Sequence, residues 1–178
     1  MVVPAVIPSS VASMPGGLQP WDWMKEGKSN VALSGTQGGR FRKELNETGR
    51  EVVGEVLQAT ARAHGLAVEG LVFRPAGLYG IYNTRACCTH QAMHTDYGQH
   101  MVQHLHGTPL APRSAIWAVR APFTLGSVDH RQLVVRARRV IFFRADFWHC
   151  GGPFRTEHPR FHGFQLPPTL HVPGAVYN

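Results

Sequence analysis

Lysine is nearly absent from this chain, with three in 178 residues against fifteen arginines. Cysteine is as scarce. The three, Cys87, Cys88 and Cys150, form an odd set with no C-x-x-C spacing, which argues against a disulfide framework or a zinc ribbon. No apolar run approaches the roughly 20 residues that span a bilayer. The opening Met1–Pro8 stretch has no basic region and carries two prolines, so it reads poorly as a signal or transit peptide. Free thiols and these absences together predict an intracellular, cytoplasmic protein with no membrane partner. The glycine-rich run from Ser34 to Gly39 lacks a following G-K-[S/T], which excludes a phosphate loop.

What is present fits one globular domain: 43% hydrophobic and 16% charged residues, with 19 glycines and 13 prolines to serve a loop-rich β architecture. Residues 1–45 read as an irregular arm pinned by Trp21 and Trp23, and 46–178 as the domain. Residues 48–64 read as a helix. Thr48-Gly-Arg-Glu51 has the form of a capping box, Val52, Val53, Val56, Leu57 and Ala61 make an apolar stripe, and His64-Gly65 closes it. Beyond Glu69 the pattern turns to short strands: 72–73, 78–82, 91–97, 114–119, 123–125, 132–135, 139–143, 147–150 and 160–166. Strands at this density, broken by turn residues, predict a sandwich or barrel.

The chemistry lies in His94-Thr95-Asp96, followed after 53 residues by His149 and eleven residues later by Arg160. An isolated H-x-D is weak, since chance supplies about one in every four chains of this composition. Its setting is stronger. Period-2 alternation in 91–97 puts His94 and Asp96 on one face of a strand. The same alternation gives Arg160, His162 and Phe164 a common face. Two imidazoles and one carboxylate on one side of an iron leave positions open for reactants, the ligand set of non-haem Fe(II) oxygenases. A later arginine can grip a co-substrate carboxylate with a two-pronged hydrogen bond.

These residues resemble the Fe(II)/2-oxoglutarate-dependent dioxygenases over roughly 70–166. The resemblance implies a double-stranded β-helix, or cupin-like jelly roll, with a flanking helix. It implies His94, Asp96 and His149 as iron ligands and Arg160 as the anchor of 2-oxoglutarate. Molecular oxygen and a small-molecule or protein substrate would be the other partners. The chain departs from the family in two places. Arg85 stands where many members carry a tyrosine, leaving Tyr82 as the candidate that reaches the co-substrate from a neighbouring strand. Arg138-Arg139 replaces a Gly-Asp turn before the second histidine.

Other features are weighed against plainer readings. His162 reads either as support for 2-oxoglutarate or as packed core. Trp148 reads as core on the face opposite His149. Arg155 competes with Arg160, but a strand positions a side chain more firmly than a loop. His100, His104 and His106 read as a connecting loop and not as a zinc helix. The net charge of +7 permits a nucleic-acid partner. That partner is not favoured, because the densest cluster, Arg131 to Arg144, alternates in facing. Two rival functions remain: a cupin-type metal dioxygenase independent of 2-oxoglutarate, and a jelly-roll binding module without catalysis.

Overall fold

From Val72 to Leu166 the described elements are mostly short strands, and two sheets are the way such runs bury their apolar faces. The computed structural model describes residues 1–15, 17, 19–26, 30–32, 40–83, 90–98, 103–105, 107–129, 131–152 and 158–170. In chain order the elements are β1 (Val2–Pro4), α1 (Ser9–Ala12), β2 (Asn30–Ala32), β3 (Arg40–Glu44), α2 (Glu47–Ala63), β4 (Val72–Phe73) and β5 (Tyr79–Asn83). Then come β6 (Arg113–Ala118), β7 (Phe123–Ser127), β8 (Gln132–Val135), β9 (Arg139–Arg144), β10 (His149–Gly151) and β11 (Arg160–Leu166).

The larger sheet runs β1-β9-β6-β11-β5-β3-β2, with β4 also pairing β11; the smaller runs β10-β7-β8. Every pairing is antiparallel. Residues 91–97 lie along the free side of β10 and touch it through a bridge between His94 and His149. The chain therefore alternates between sheets. It passes from β5 to the His94 segment, back to β6, across to β7 and β8, back to β9, across to β10 and back to β11. That winding is the double-stranded β-helix, and the fold is mainly β with a flanking helix.

The two faces of the larger sheet do different work. Its outer face, with Trp117, Phe161 and Phe142, packs beneath α2, whose Val52, Val53, Val56, Leu57 and Ala61 are all buried. Gly163 permits this close approach, because a methyl there would stand 2.6 Å from Leu57 Cδ1. Its inner face carries Ile116 and Ile141 toward one apolar cluster and Tyr79, Ile81 and Phe164 toward another.

Four sequence expectations need correction. Within the 1–45 arm the described residues include paired strands: β1 pairs β9 and β3 pairs β5, extending the larger sheet at both edges. Trp23 is buried and stacks on Trp117 at 5.8 Å, whereas Trp21 is exposed and meets Tyr82 edge-on. The helix cap is Asn46, whose side chain accepts from Gly49 N at 2.8 Å, so Thr48 lies inside the first turn. Residues 91–97 form a single bridge and not a strand. Trp148 is 47% exposed and not core; it lies just before β10, whose own residues are all buried. Ser34–Gly39, Cys87, Cys88, His100, His106 and Arg155 lie outside the described residues.

Candidate metal centre

The His94 segment is zipped onto the β10 side of the barrel by backbone bonds. Gln91 N donates to Gly151 O at 2.8 Å, His94 and His149 exchange N–H···O bonds of 2.9 Å each, and Tyr97 N donates to Ala145 O at 2.9 Å. A reciprocal pair of this kind sets two residues directly opposite each other. Their imidazoles consequently stand side by side, with ring centroids 4.5 Å apart. Asp96, two residues on, returns to the same side. One nitrogen from each imidazole and one Asp96 oxygen all lie within 4.8 Å of one another, and His149 Nε2 is 3.9 Å from Asp96 Oδ2. The His149 and Asp96 side chains are buried, at 3% and 4% exposure.

Hydrogen bonds around these groups set their chemistry. His94 Nδ1 is 2.8 Å from the Ala92 carbonyl oxygen and His149 Nδ1 is 2.9 Å from that of Phe147. A carbonyl can only accept, so each Nδ1 carries a proton, and in the neutral imidazole it is Nε2 that offers its lone pair. Both lone pairs belong to the shared space beside Asp96. Ser114 Oγ on β6 donates to Asp96 Oδ2 and fixes the carboxylate. Burial, then the neighbouring His149, holds the His94 pKa below its usual value, against the opposing pull of the Ala92 carbonyl and Asp96. A neutral imidazole is the form that ligates a metal. Two nitrogen lone pairs and one carboxylate, buried and oriented from outside by other hydrogen bonds, suit a divalent transition metal.

The remaining sequence candidates divide. Arg160 and His162 lie on the inner face of β11, at 1% and 6% exposure. The Arg160 guanidinium sits 5.0 Å from the Phe123 ring centroid, and its charge also lowers the pKa of His94. His162 stacks on Tyr79 at 5.0 Å with 20° between planes, and its Nδ1 lies 3.4 Å from the Tyr79 hydroxyl. Burial, then Arg160, holds its pKa well below the usual histidine value. Tyr82 is not brought to this group. It points to the outer face, against Trp21 and Phe41 at 5.5 and 5.7 Å. Tyr79 is the β5 tyrosine on the inner face, three residues away and of opposite parity.

Sequence reasoning missed Ser114, Gln91 and Arg40. Gln91 Nε2 lies 3.5 Å from His94 Nε2. Arg40 is 1% exposed and donates to Gly151 O at 3.1 Å and Gly152 O at 2.7 Å. None carries a motif; only the sheet order reveals them. Tyr79 likewise is placed only by the fold, facing His162 across the β5–β11 pairing.

No protein-family model matches the chain, and no curated protein matches it. Solved structures do. A predicted oxalate decarboxylase from Thermotoga maritima is 8% identical with a TM-score of 0.44, covering 77% of this chain and 90% of that one. An RmlC-like cupin from Shewanella frigidimarina NCIMB 400 is 12% identical with a TM-score of 0.40, covering 82% and 92%. A cupin protein from Bacteroides fragilis is 10% identical with a TM-score of 0.32, covering 85% and 99%.

Proposed function

We propose that the protein is an Fe(II)/2-oxoglutarate-dependent oxygenase, a hydroxylase or demethylase acting on a small-molecule or protein substrate. The observation that carries the reading is the conjunction of the His94–Asp96–His149 group with a buried arginine on the next strand, Arg160, in one interior. His94, Asp96 and His149 would hold the iron. When bound, iron supplies the redox chemistry by which oxygen, 2-oxoglutarate and substrate become succinate, CO2 and oxidised product.

The residues of the chain do the rest. Ala92 and Phe147 carbonyls orient the imidazoles, and Ser114 orients Asp96. Arg160 binds the carboxylate of 2-oxoglutarate farthest from the keto acid. Its burial strengthens that pairing, because a charge-assisted bond gains when water is excluded. Phe143, 4.8 Å from the His149 ring, and Phe123 wall the space and keep water from it. His162 stays neutral and leaves the binding charge to Arg160.

Arg160→Ala should raise the 2-oxoglutarate requirement roughly ten- to a hundred-fold with metal affinity nearly intact, the cost of one charge-assisted pair. Arg155→Ala is the control; if it is the damaging change and Arg160→Ala is silent, the anchor is misassigned. One observation favours a second reading, a metal dioxygenase that does not use 2-oxoglutarate. His162 adds a third imidazole, whose pKa responds to both His149 and His94. Substrate oxidation without succinate would select that reading.

A further inference from the structure

We infer that Arg40 joins Arg160 in a two-arginine pocket beside the metal centre, and that the distal carboxylate of the co-substrate is held between both guanidiniums. The inference rests on the 2-oxoglutarate reading and deepens it.

β3 and β11 flank β5 on opposite sides, with Arg40 opposite Asn83 and Arg160 opposite Ile81. The two arginines thus enter the interior at one end of β5 from two different strands. They are among the largest fully buried side chains in the molecule, each 1% exposed. Gly151 marks where they meet. A methyl on it would lie 2.6 Å from Arg160 Nη2, 3.1 Å from Arg40 Nη1 and 3.1 Å from Gln91 Oε1. Gly151 is two residues beyond His149, so this convergence belongs to the neighbourhood of the metal ligands. Arg40 is held there by the Gly151 and Gly152 carbonyls.

Burying one guanidinium is costly, and setting two together adds repulsion. A surface strut would not need such a group. A carboxylate accepts two parallel N–H bonds from a planar guanidinium, and two arginines can share its oxygens.

Calorimetric titration of the full chain loaded with Mn(II) tests this without turnover. The titrants are 2-oxoglutarate and 2-oxopentanoate, the same chain without the distal carboxylate. Wild-type protein should prefer 2-oxoglutarate strongly. Arg40→Gln should weaken 2-oxoglutarate by about ten-fold or more and leave 2-oxopentanoate and Mn(II) affinity unchanged. Arg40→Lys, which keeps the charge and guards against misfolding, should fall between. If both Arg40 variants bind 2-oxoglutarate within two-fold of wild type while Arg160→Gln loses it, Arg40 is only a backbone strut and the inference fails alone. If wild-type protein binds neither keto acid, the underlying reading fails and takes the inference with it.

Discussion

Each candidate ligand histidine spends its Nδ1 proton on the carbonyl two residues before it, His94 on Ala92 and His149 on Phe147. The backbone thereby chooses the tautomer, and the metal affinity should depend on groups that never touch the metal. Ser114→Ala should weaken Mn(II) binding about ten-fold or more, the usual cost of losing an outer hydrogen bond to a ligand, whereas Asp96→Ala should all but abolish it. Equal affinity in wild type and Ser114→Ala would show that the Asp96 carboxylate is positioned by other means. His162 makes a pH prediction. Its folded pKa is lowered, so below the unfolded value of about 6.5 the unfolded chain takes a proton that the folded chain refuses. Stability should fall as pH drops through that value and continue to fall until the folded group titrates. His162→Gln should flatten the slope between pH 7 and 5 in urea unfolding; parallel slopes would contradict it. The His94–Asp96–His149 grouping was legible in the sequence because H-x-D and a distant histidine form a spaced pattern. Ser114 and Arg40 were not, because nothing local shows which strands become neighbours.

At the scale of elements, α2 was read to within a residue at each end, since an apolar stripe of helical period has one interpretation. Its cap was misread. Both Asn46 and Thr48 are good capping types, and only the backbone decides between them: Asn46 is extended and Thr48 already helical. Asn46→Ala should cost about 1 kcal/mol in denaturant unfolding and Thr48→Ala much less; the reverse order would restore the capping box. The β8–β9 turn holds Arg138 at φ 61°, a left-handed conformation that an arginine adopts at a cost. This is the position where the related pattern places its Gly-Asp turn. Arg138→Gly should therefore leave stability unchanged or raise it by up to about 1 kcal/mol, read as a rise in thermal midpoint. A clear fall would mean that the Arg138 side chain contributes packing that outweighs the strain. The 91–97 segment alternated as a strand does, but its ladder pairing is confined to His94 opposite His149 and does not continue to adjacent residues, so it remains a bridge.

At the scale of the whole molecule, alternating runs separated by turns made a two-sheet β fold readable, while the sheet edges were not. β1 and β3 sit in a proline- and glycine-rich stretch, and what joins them to the sheet is distant in sequence, β9 for β1 and β5 for β3, with only β2 as a local partner of β3. Charge is a global property too. The +7 is carried partly by Arg131, Arg136 and Arg138 on the surface and partly by the buried Arg40 and Arg160. Because the buried pair cannot meet a polyanion, nucleic-acid binding should be weak and should fall steeply with salt. Tight binding at physiological salt, abolished by a combined Arg136, Arg138 and Arg139 to Ala change, would overturn the preference for a small-molecule or protein substrate. The most direct test of the account is succinate formation. Protein loaded anaerobically with Fe(II), then given 2-oxoglutarate, oxygen and a panel of substrates, should release succinate in an oxygen-dependent manner, and the Asp96→Ala and Arg160→Ala proteins should release little. An iron-loaded wild-type protein that oxidises a substrate while leaving 2-oxoglutarate intact would contradict it.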